Sequence, residues 1–314
     1  MATPSGSVVA PRRLERGVRA LRSRGYRVRL GPLAGKPSAA DGGPQRAAEL
    51  NSFLRDPEVR CVVMSLGGLT GNAVLDELDY DALAADPKIL VGYSDITTVL
   101  LAALRVANIV TFHGPTLLPE LAEYPGPLPY TWDHFVRAVG RAEPLGPLAA
   151  APRWTEELLL WDEADDRARA TTPSPGWTPL HGGTATGPLI GGNLETLGLL
   201  AGTRYFPDFS GAVVVLETTG TDLHHVERGL TQLEMLGVFT GMAGLVFGRS
   251  FRAPEGFERA LTDHLRRRFA GHGVPVVAGA DIGHTDPMLT LPLGTPARLD
   301  GDAGTLEVLD AAVA

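Results

Sequence analysis

Short apolar runs recur along this chain with room for a helix between neighbouring runs. Residues 61–66, 89–91 and 109–112 are three such runs in the first half; 212–216, 244–247 and 274–278 follow in the second. Each spans three to six residues and is nearly continuous in apolar character. Runs this short and unalternated read as strands buried on both faces. Residues 96–104, 226–236 and 256–269, which follow runs of this kind, carry apolar residues at helical spacing. Strands interleaved with helices imply an α/β fold, a parallel sheet with helices on both faces. Towards the N-terminus, 14–21 and 45–53 also read as helices, 26–30 alternates as a strand would, and 76–84 reads as a helix or turn-rich segment.

At 314 residues the chain exceeds what one hydrophobic core usually serves, so two domains are expected. Five prolines fall between Pro115 and Pro129, which argues against a regular element there. The expected division is an N-terminal α/β domain over 1–117, a linker over 118–144 with a short helix at 133–139, and a C-terminal domain over 145–314. Residues 145–187, rich in Pro, Thr and Trp, read as a long irregular or β-rich excursion. Short strands are expected at 297–299 and 305–308.

Composition removes several function classes. The formal net charge is −8 with no long basic run, which disfavours nucleic acid or an anionic membrane as partner. The single cysteine, Cys61, cannot form an internal disulfide and reads as a small buried strand residue. No run of about 18 apolar residues is present, and no uninterrupted apolar stretch of signal-peptide length precedes the first arginines. A cytoplasmic protein without a membrane span or secretory signal is expected.

The strongest local feature is Lys88-Ile89-Leu90-Val91-Gly92-Tyr93-Ser94-Asp95-Ile96-Thr97, where a strand enters a helix through Gly-Tyr-Ser-Asp. A serine on such a turn stands at the C-terminal edge of the sheet, where open α/β sheets place their sites. The pattern resembles a nucleophile elbow but lacks the final glycine of Gly-x-Ser-x-Gly. Taken alone, Ser94 reads more simply as a helix N-cap. Gly67-Gly68 ends another strand; alone it reads as a plain turn, and beside the Ser94 turn it could offer a backbone N–H to a developing oxyanion. A hydroxyl nucleophile also needs a base and an orienting carboxylate. His284 and His113 both follow strands, and Glu217 closes the apolar run 212–216. Trp154, Trp161 and Trp177 lie in the 145–187 excursion and suit either a small core or a stacking platform. His224-His225-Val226-Glu227 lacks metal-site spacing, and neither a phosphate loop nor a dinucleotide fingerprint is present.

Ordered blocks through most of the chain resemble the LD-carboxypeptidase family, which includes muramoyl-tetrapeptide carboxypeptidases and microcin C self-immunity peptidases. The blocks are Arg13-Leu14-Glu15-Arg16-Gly17, Gly67-Gly68, Leu78-Asp79-Tyr80-Asp81, Pro87-Lys88-Ile89, Val91 to Thr97 and His113-Gly114-Pro115. They continue with Ile190-Gly191-Gly192-Asn193-Leu194, Gly202-Thr203-Arg204-Tyr205, Leu216-Glu217, Gly283-His284 and Leu291-Pro292-Leu293-Gly294. The resemblance implies an N-terminal α/β domain and a C-terminal domain with a β-rich core, with the site in the cleft between them. It implies a triad of Ser94, Glu217 and His284, and oxyanion donors on the N–H groups of Gly68 and Asp95. It places Trp177, Asn193 and His113 against substrate. It also implies a cytoplasmic homodimer with no cofactor and no metal.

Three departures from the family pattern stand out. Thr218 replaces the Asp that follows the triad Glu in many relatives. Thr221 stands where microcin-type relatives carry a Lys for a substrate carboxylate. Ala2 to Gly6 resembles the turn after the family's first strand, so that strand is expected to be missing, as if the chosen start were late. The blocks around Trp154, Trp161 and Trp177 resemble the microcin-type branch more closely. The expected activity is therefore amide hydrolysis of a small aminoacyl-nucleotide, with murein tetrapeptide as the alternative substrate. A non-catalytic relative that sequesters such ligands is the alternative from outside the enzyme class.

Overall fold

The computed structural model describes residues 1–37, 41–220 and 222–314. In the first half the apolar runs become three parallel strands, β1 (Cys61–Val63), β2 (Ile89–Gly92) and β3 (Thr111–His113), side by side in that order. Helices α1 (Pro11–Arg22), α2 (Gly43–Leu54), α3 (Tyr80–Ala85) and α4 (Thr97–Ala107) accompany them. α4 is apolar on nearly every face and buries eight of its eleven residues, as a helix inside a core must. It stops at Asn108, whose left-handed backbone ends the helix.

The expected linker at 118–144 is folded. Leu117–Leu121 forms a π-helical turn that buries Leu117, Leu118, Glu120 and Leu121. Helix α5 (Pro129–Gly140) starts on Pro129. Proline in the first helical turn loses no hydrogen bond and presets the backbone, so this proline begins an element instead of breaking one. Residues 26–30 are not a strand; Met1 donates to Arg29 O and accepts from Gly31 N there. The 76–84 segment splits into a 3₁₀ turn (Gly71–Glu77) and α3, because Asp79 Oδ1 caps α3 by accepting from Ala82 N at 2.9 Å. At the start of the chain, Ala2 already lies alongside β1, paired in parallel with Met64.

The remaining strands are β4 (Gly146–Leu148), β5 (Arg153–Trp154), β6 (Thr172–Pro173), β7 (Thr178–His181), β8 (Thr184–Asn193), β9 (Val213–Glu217), β10 (Gly244–Gly248), β11 (Val276–Ala280), β12 (Leu291–Leu293), β13 (Pro296–Asp300) and β14 (Thr305–Val308). Eight of them form one sheet in the order β4-β14-β13-β8-β9-β10-β11-β7. Its middle, β8 to β11, is parallel, and both flanks are antiparallel. Helices α6 (Leu194–Leu197), α7 (Leu223–Met235) and α8 (Phe257–Arg268) pack with it. Residues 145–187 are thus β-rich, contributing four short strands and the start of β8.

The two sheets are not independent. β12 pairs antiparallel with β3, so the C-terminal half supplies the edge strand of the first sheet. Buried charges also cross between the halves. Arg169 reaches Glu123 at 2.7 Å and Asp286 at 2.8 Å, and Arg13 reaches Asp165 at 2.8 Å. Removing one member of such a pair leaves a buried charge uncompensated, at a cost of about 3–5 kcal/mol. Arg169→Ala should therefore lower the urea-unfolding free energy by about that amount. Arg19→Ala, whose partner Glu15 is as exposed as Arg19 itself, should change it by less than about 1 kcal/mol. Equal effects of the two substitutions would show that the buried cluster adds nothing.

Candidate active site

Ser94 lies where β2 gives way to α4. Tyr93 is still extended, Ser94 turns to φ 60°, and a 3₁₀ turn (Ser94–Ile96) leads into the helix. A non-glycine residue in the left-handed region is uncommon and costs of order 1–3 kcal/mol, so its surroundings must hold it there. Several do. The buried Asp95 carboxylate accepts from Gly71 N at 2.6 Å and from the Ser5 hydroxyl, which fastens the 67–71 loop beside the serine. Gly67 comes so close that a Cβ there would stand 3.0 Å from Ser94 Oγ and 3.5 Å from Asp95 N. Gly68 follows, and the Gly6 N–H donates to Gly67 O at 2.8 Å. The strand-end glycines and the Asp95 N–H are therefore gathered around the serine hydroxyl. The N-cap positions of the 3₁₀ turn and of α4 fall on Tyr93 and Ile96, so Ser94 is not the helix N-cap of the simpler reading.

The other two members arrive from the second sheet. Glu217 closes β9 with no exposed surface, in register with Asn193 of β8. His284 sits on the loop after β11. Gly283 brings it in, with φ +90° and a position where a Cβ would lie 2.5 Å from Glu217 Oε2. His284 Nδ1 lies 2.8 Å from Glu217 Oε2, and its Nε2 lies 3.0 Å from Ser94 Oγ. With Glu217 ionised, Nδ1–H donates to the carboxylate and Nε2 is left to accept from the serine hydroxyl.

The charges follow from this geometry. Burial opposes ionisation of both partners, yet their mutual attraction and hydrogen bond outweigh it. Glu217 ends below its ordinary pKa, with a hydrogen bond from Asn193 adding to the effect, and His284 ends above its own. For His113, complete burial outweighs the attraction of Glu217 and lowers its pKa to about 4, which keeps it neutral.

The three residues expected against substrate are engaged with the fold. His113 has no exposed surface and Asn193 only 3%. Asn193 caps α6 by accepting from Thr196 N at 3.0 Å, while its own N–H donates to Thr97 Oγ1 of α4 at 3.0 Å. Trp177 donates Nε1 to Asp281 Oδ2 at 2.8 Å and packs on the core. Asp281 also accepts from Ala151 N and pairs with Arg249, so Trp177 braces the start of the His284 loop. Thr218 donates to Glu195, and Thr221 lies outside the described residues. Tyr93, Glu120 and Asp286 surround the site without having been singled out; Tyr93 was legible only as a neighbour of Ser94.

A hollow of about 610 Å³, lined by Trp154, Thr155, Glu157, Thr172 and Arg252 among others, adjoins the His284 loop. Thr155 exchanges two backbone hydrogen bonds with Asp286, and Phe251 lies 6.4 Å from the His284 ring. A second hollow, of about 590 Å³, is lined by Phe53, Cys61 and Ile89. It sits at the N-terminal ends of β1 and β2, the edge of the sheet away from Ser94, and is not part of this site. Among the described residues, no group of three His, Cys, Asp or Glu side chains could hold a metal ion. No helix there is long and apolar enough to cross a membrane.

The LD-carboxypeptidase N-terminal domain model matches residues 1–114, and the C-terminal domain model matches residues 186–299. The chain belongs to the LD-carboxypeptidase family. It is accordingly a hydrolase of the serine carboxypeptidase class. It is 30% identical to the microcin C7 self-immunity protein MccF of Escherichia coli over 97% of this chain and 90% of that protein. It is 28% identical to the murein tetrapeptide carboxypeptidase of Pseudomonas aeruginosa over 82% and 78%. MccF solved with aspartyl sulfamoyl adenosine superposes with a TM-score of 0.91 at 29% identity, covering 100% of this chain and 96% of that one. The two-domain LD-carboxypeptidase fold expected from the sequence is the fold observed.

The Glu217–His284 pair carries a direct expectation for titration. In wild type, an NMR titration should place the His284 midpoint above pH 6.5. Glu217→Gln removes the attraction and leaves burial, so the midpoint should fall below 6.5. An unchanged midpoint would show that the pair does not exist in solution.

Proposed function

We propose that this protein hydrolyses an amide bond in a small aminoacyl-nucleotide, using Ser94 as nucleophile, His284 as base and Glu217 as the orienting carboxylate. The observation that carries the reading is the unbroken line from Glu217 Oε2 to His284 Nδ1 and from His284 Nε2 to Ser94 Oγ. His284 Nε2 takes the hydroxyl proton as Ser94 Oγ attacks the carbonyl carbon. The carbonyl oxygen becomes an oxyanion facing the N–H groups of Gly68 and Asp95. The C–N bond then breaks, the leaving amine takes the proton from His284, and water releases the acyl group by the same steps. Glu217 stays ionised and stabilises the imidazolium. The reading places the reaction in the cleft between the two domains, in a cytoplasmic homodimer that needs no cofactor.

For the substrate, support comes from MccF, which was solved with aspartyl sulfamoyl adenosine and is similar to nearly the whole of this chain. The similarity to the murein tetrapeptide carboxypeptidase favours a second reading, release of the terminal D-Ala from murein tetrapeptide.

Incubation with aspartyl sulfamoyl adenosine and with murein tetrapeptide, followed by mass spectrometry, decides between the two. The expected result is cleavage of the first amide and loss of that cleavage in a folded Ser94→Ala variant. Cleavage of the tetrapeptide alone would establish the second reading, and undiminished turnover by Ser94→Ala would end both. Binding without turnover, unchanged by Ser94→Ala, would favour a sequestering protein. Gly67→Ala places a methyl group against the Ser94 side chain. It should lower kcat about 10²-fold by displacing the nucleophile from line with its base. A wild-type kcat would show that Ser94 is not the attacking group.

A further inference from the structure

Two hydrogen bonds define a line, and a line leaves rotation about itself free. His284 is bonded at Nδ1 to Glu217 and at Nε2 to Ser94, so those contacts alone do not fix the tilt of its ring. What else touches the ring comes largely from Tyr93, the residue before the serine. The two rings meet edge to face, with centroids 5.0 Å apart and planes at 62°. The Tyr93 ring also meets His113, at 6.1 Å and 72°. Tyr93 is only 6% exposed, and its hydroxyl donates to Glu120 Oε1 at 2.7 Å. Glu120 is in turn fixed at its other oxygen, which accepts from Thr116 N at 2.7 Å and lies 3.2 Å from Thr116 Oγ1.

We infer that Glu120 is a positioning residue: it anchors the Tyr93 hydroxyl, and the anchored ring holds the imidazole plane of His284 in line with Ser94. The inference rests on the Ser94–His284 reading given above. Glu120 does not touch the reacting atoms and acts only through Tyr93.

The charges nearby say which form of Glu120 does this. Burial, reinforced by Asp286, pushes its carboxyl up to about 8, so it is held largely neutral near pH 7. The guanidinium that might have balanced an ionised Glu120 belongs to Arg169, which is paired with Glu123 and Asp286. A neutral carboxyl can still accept from Tyr93 at Oε1. A glutamine amide has the same shape and also carries no charge; with its oxygen accepting from Thr116 N and its NH2 donating to the Tyr93 hydroxyl oxygen, it should serve in its place.

The test uses a fluorophosphonate probe, which reports activation of the serine without requiring the natural substrate. Inactivation rate and probe affinity are measured separately on variants shown to be folded by circular dichroism. Tyr93→Phe and Glu120→Ala should each lower the inactivation rate about 3- to 10-fold, the range expected for losing one edge-to-face ring contact. Probe affinity should not change. The double variant should be no slower than the slower single, because both break one chain of contacts. Glu120→Gln should stay within about 2-fold of wild type. Inactivation rates at the wild-type level in Tyr93→Phe and Glu120→Ala, or losses that multiply in the double variant, would overturn the inference. So would a Glu120→Gln variant as slow as Glu120→Ala. Ser94→Ala separates the layers. Labelling that persists in that variant would overturn the underlying reading, whereas an unlabelled Ser94→Ala beside unaffected Tyr93 and Glu120 variants would overturn the positioning role alone.

Discussion

The buried ion pair between Glu217 and His284 is the constraint around which this molecule is arranged. A carboxylate with no exposed surface at the end of a central strand is untenable without a partner. That partner comes from a different strand end, through a glycine that approaches closely enough to leave no room for a side chain. The pair raises the basicity of the imidazole and fixes which nitrogen faces the serine. Everything else at the site either shields the pair from water or aims it. His113 stays neutral behind it, Asn193 caps a helix beside it, and Trp177 braces the loop that delivers His284.

Because the base and the nucleophile come from different halves of the chain, their alignment depends on how firmly the halves are joined. Among the connections between them, three end near the site. β12 leaves the second half to complete the first sheet. Asn193 N–H reaches Thr97 on α4, one helical turn from the serine. Arg169 spans Glu123 of the first half and Asp286 of the second, two residues beyond His284. Each connection lands within a few residues of a group in the site. A weakening at any of them therefore bears on the distance between Ser94 and His284 and not only on stability.

Much of this was legible in the chain itself, for a physical reason. Strand ends in an α/β sheet are where sites lie, and Ser94, Glu217 and His284 all stand at or just beyond strand ends marked by apolar runs. The α/β class followed from the same runs. What escaped depended on neighbours distant in sequence. Pro129 in a proline-rich stretch looked like a breaker, yet the first turn of a helix tolerates it. His113 and Asn193 were drawn to substrate by the family resemblance alone; their burial, and the cap that Asn193 gives α6, depend on the packed sheets. Glu120 carried no signal at all: an acidic residue among prolines reads as solvated until Tyr93 and Thr116 are seen to enclose it. Ser94 itself was the reverse case, read as a cap from its own motif and as a nucleophile only from its company.

The left-handed backbone at Ser94 connects these observations. Such a conformation persists only where its neighbours leave no alternative. Upstream, β2 is locked between two strands; downstream, α4 is buried on almost every face and cannot rotate to relax the turn. Asp95 spends its carboxylate on the adjacent loop, and Tyr93 is held by Glu120. The residues on either side of the serine are thus committed, Tyr93 to the face of the His284 ring and Asp95 to the adjacent loop, which leaves the serine hydroxyl to meet His284 Nε2. The same commitments that strain the backbone keep the hydroxyl at hydrogen-bonding distance from its base, and a relaxed turn at this position would lose both together.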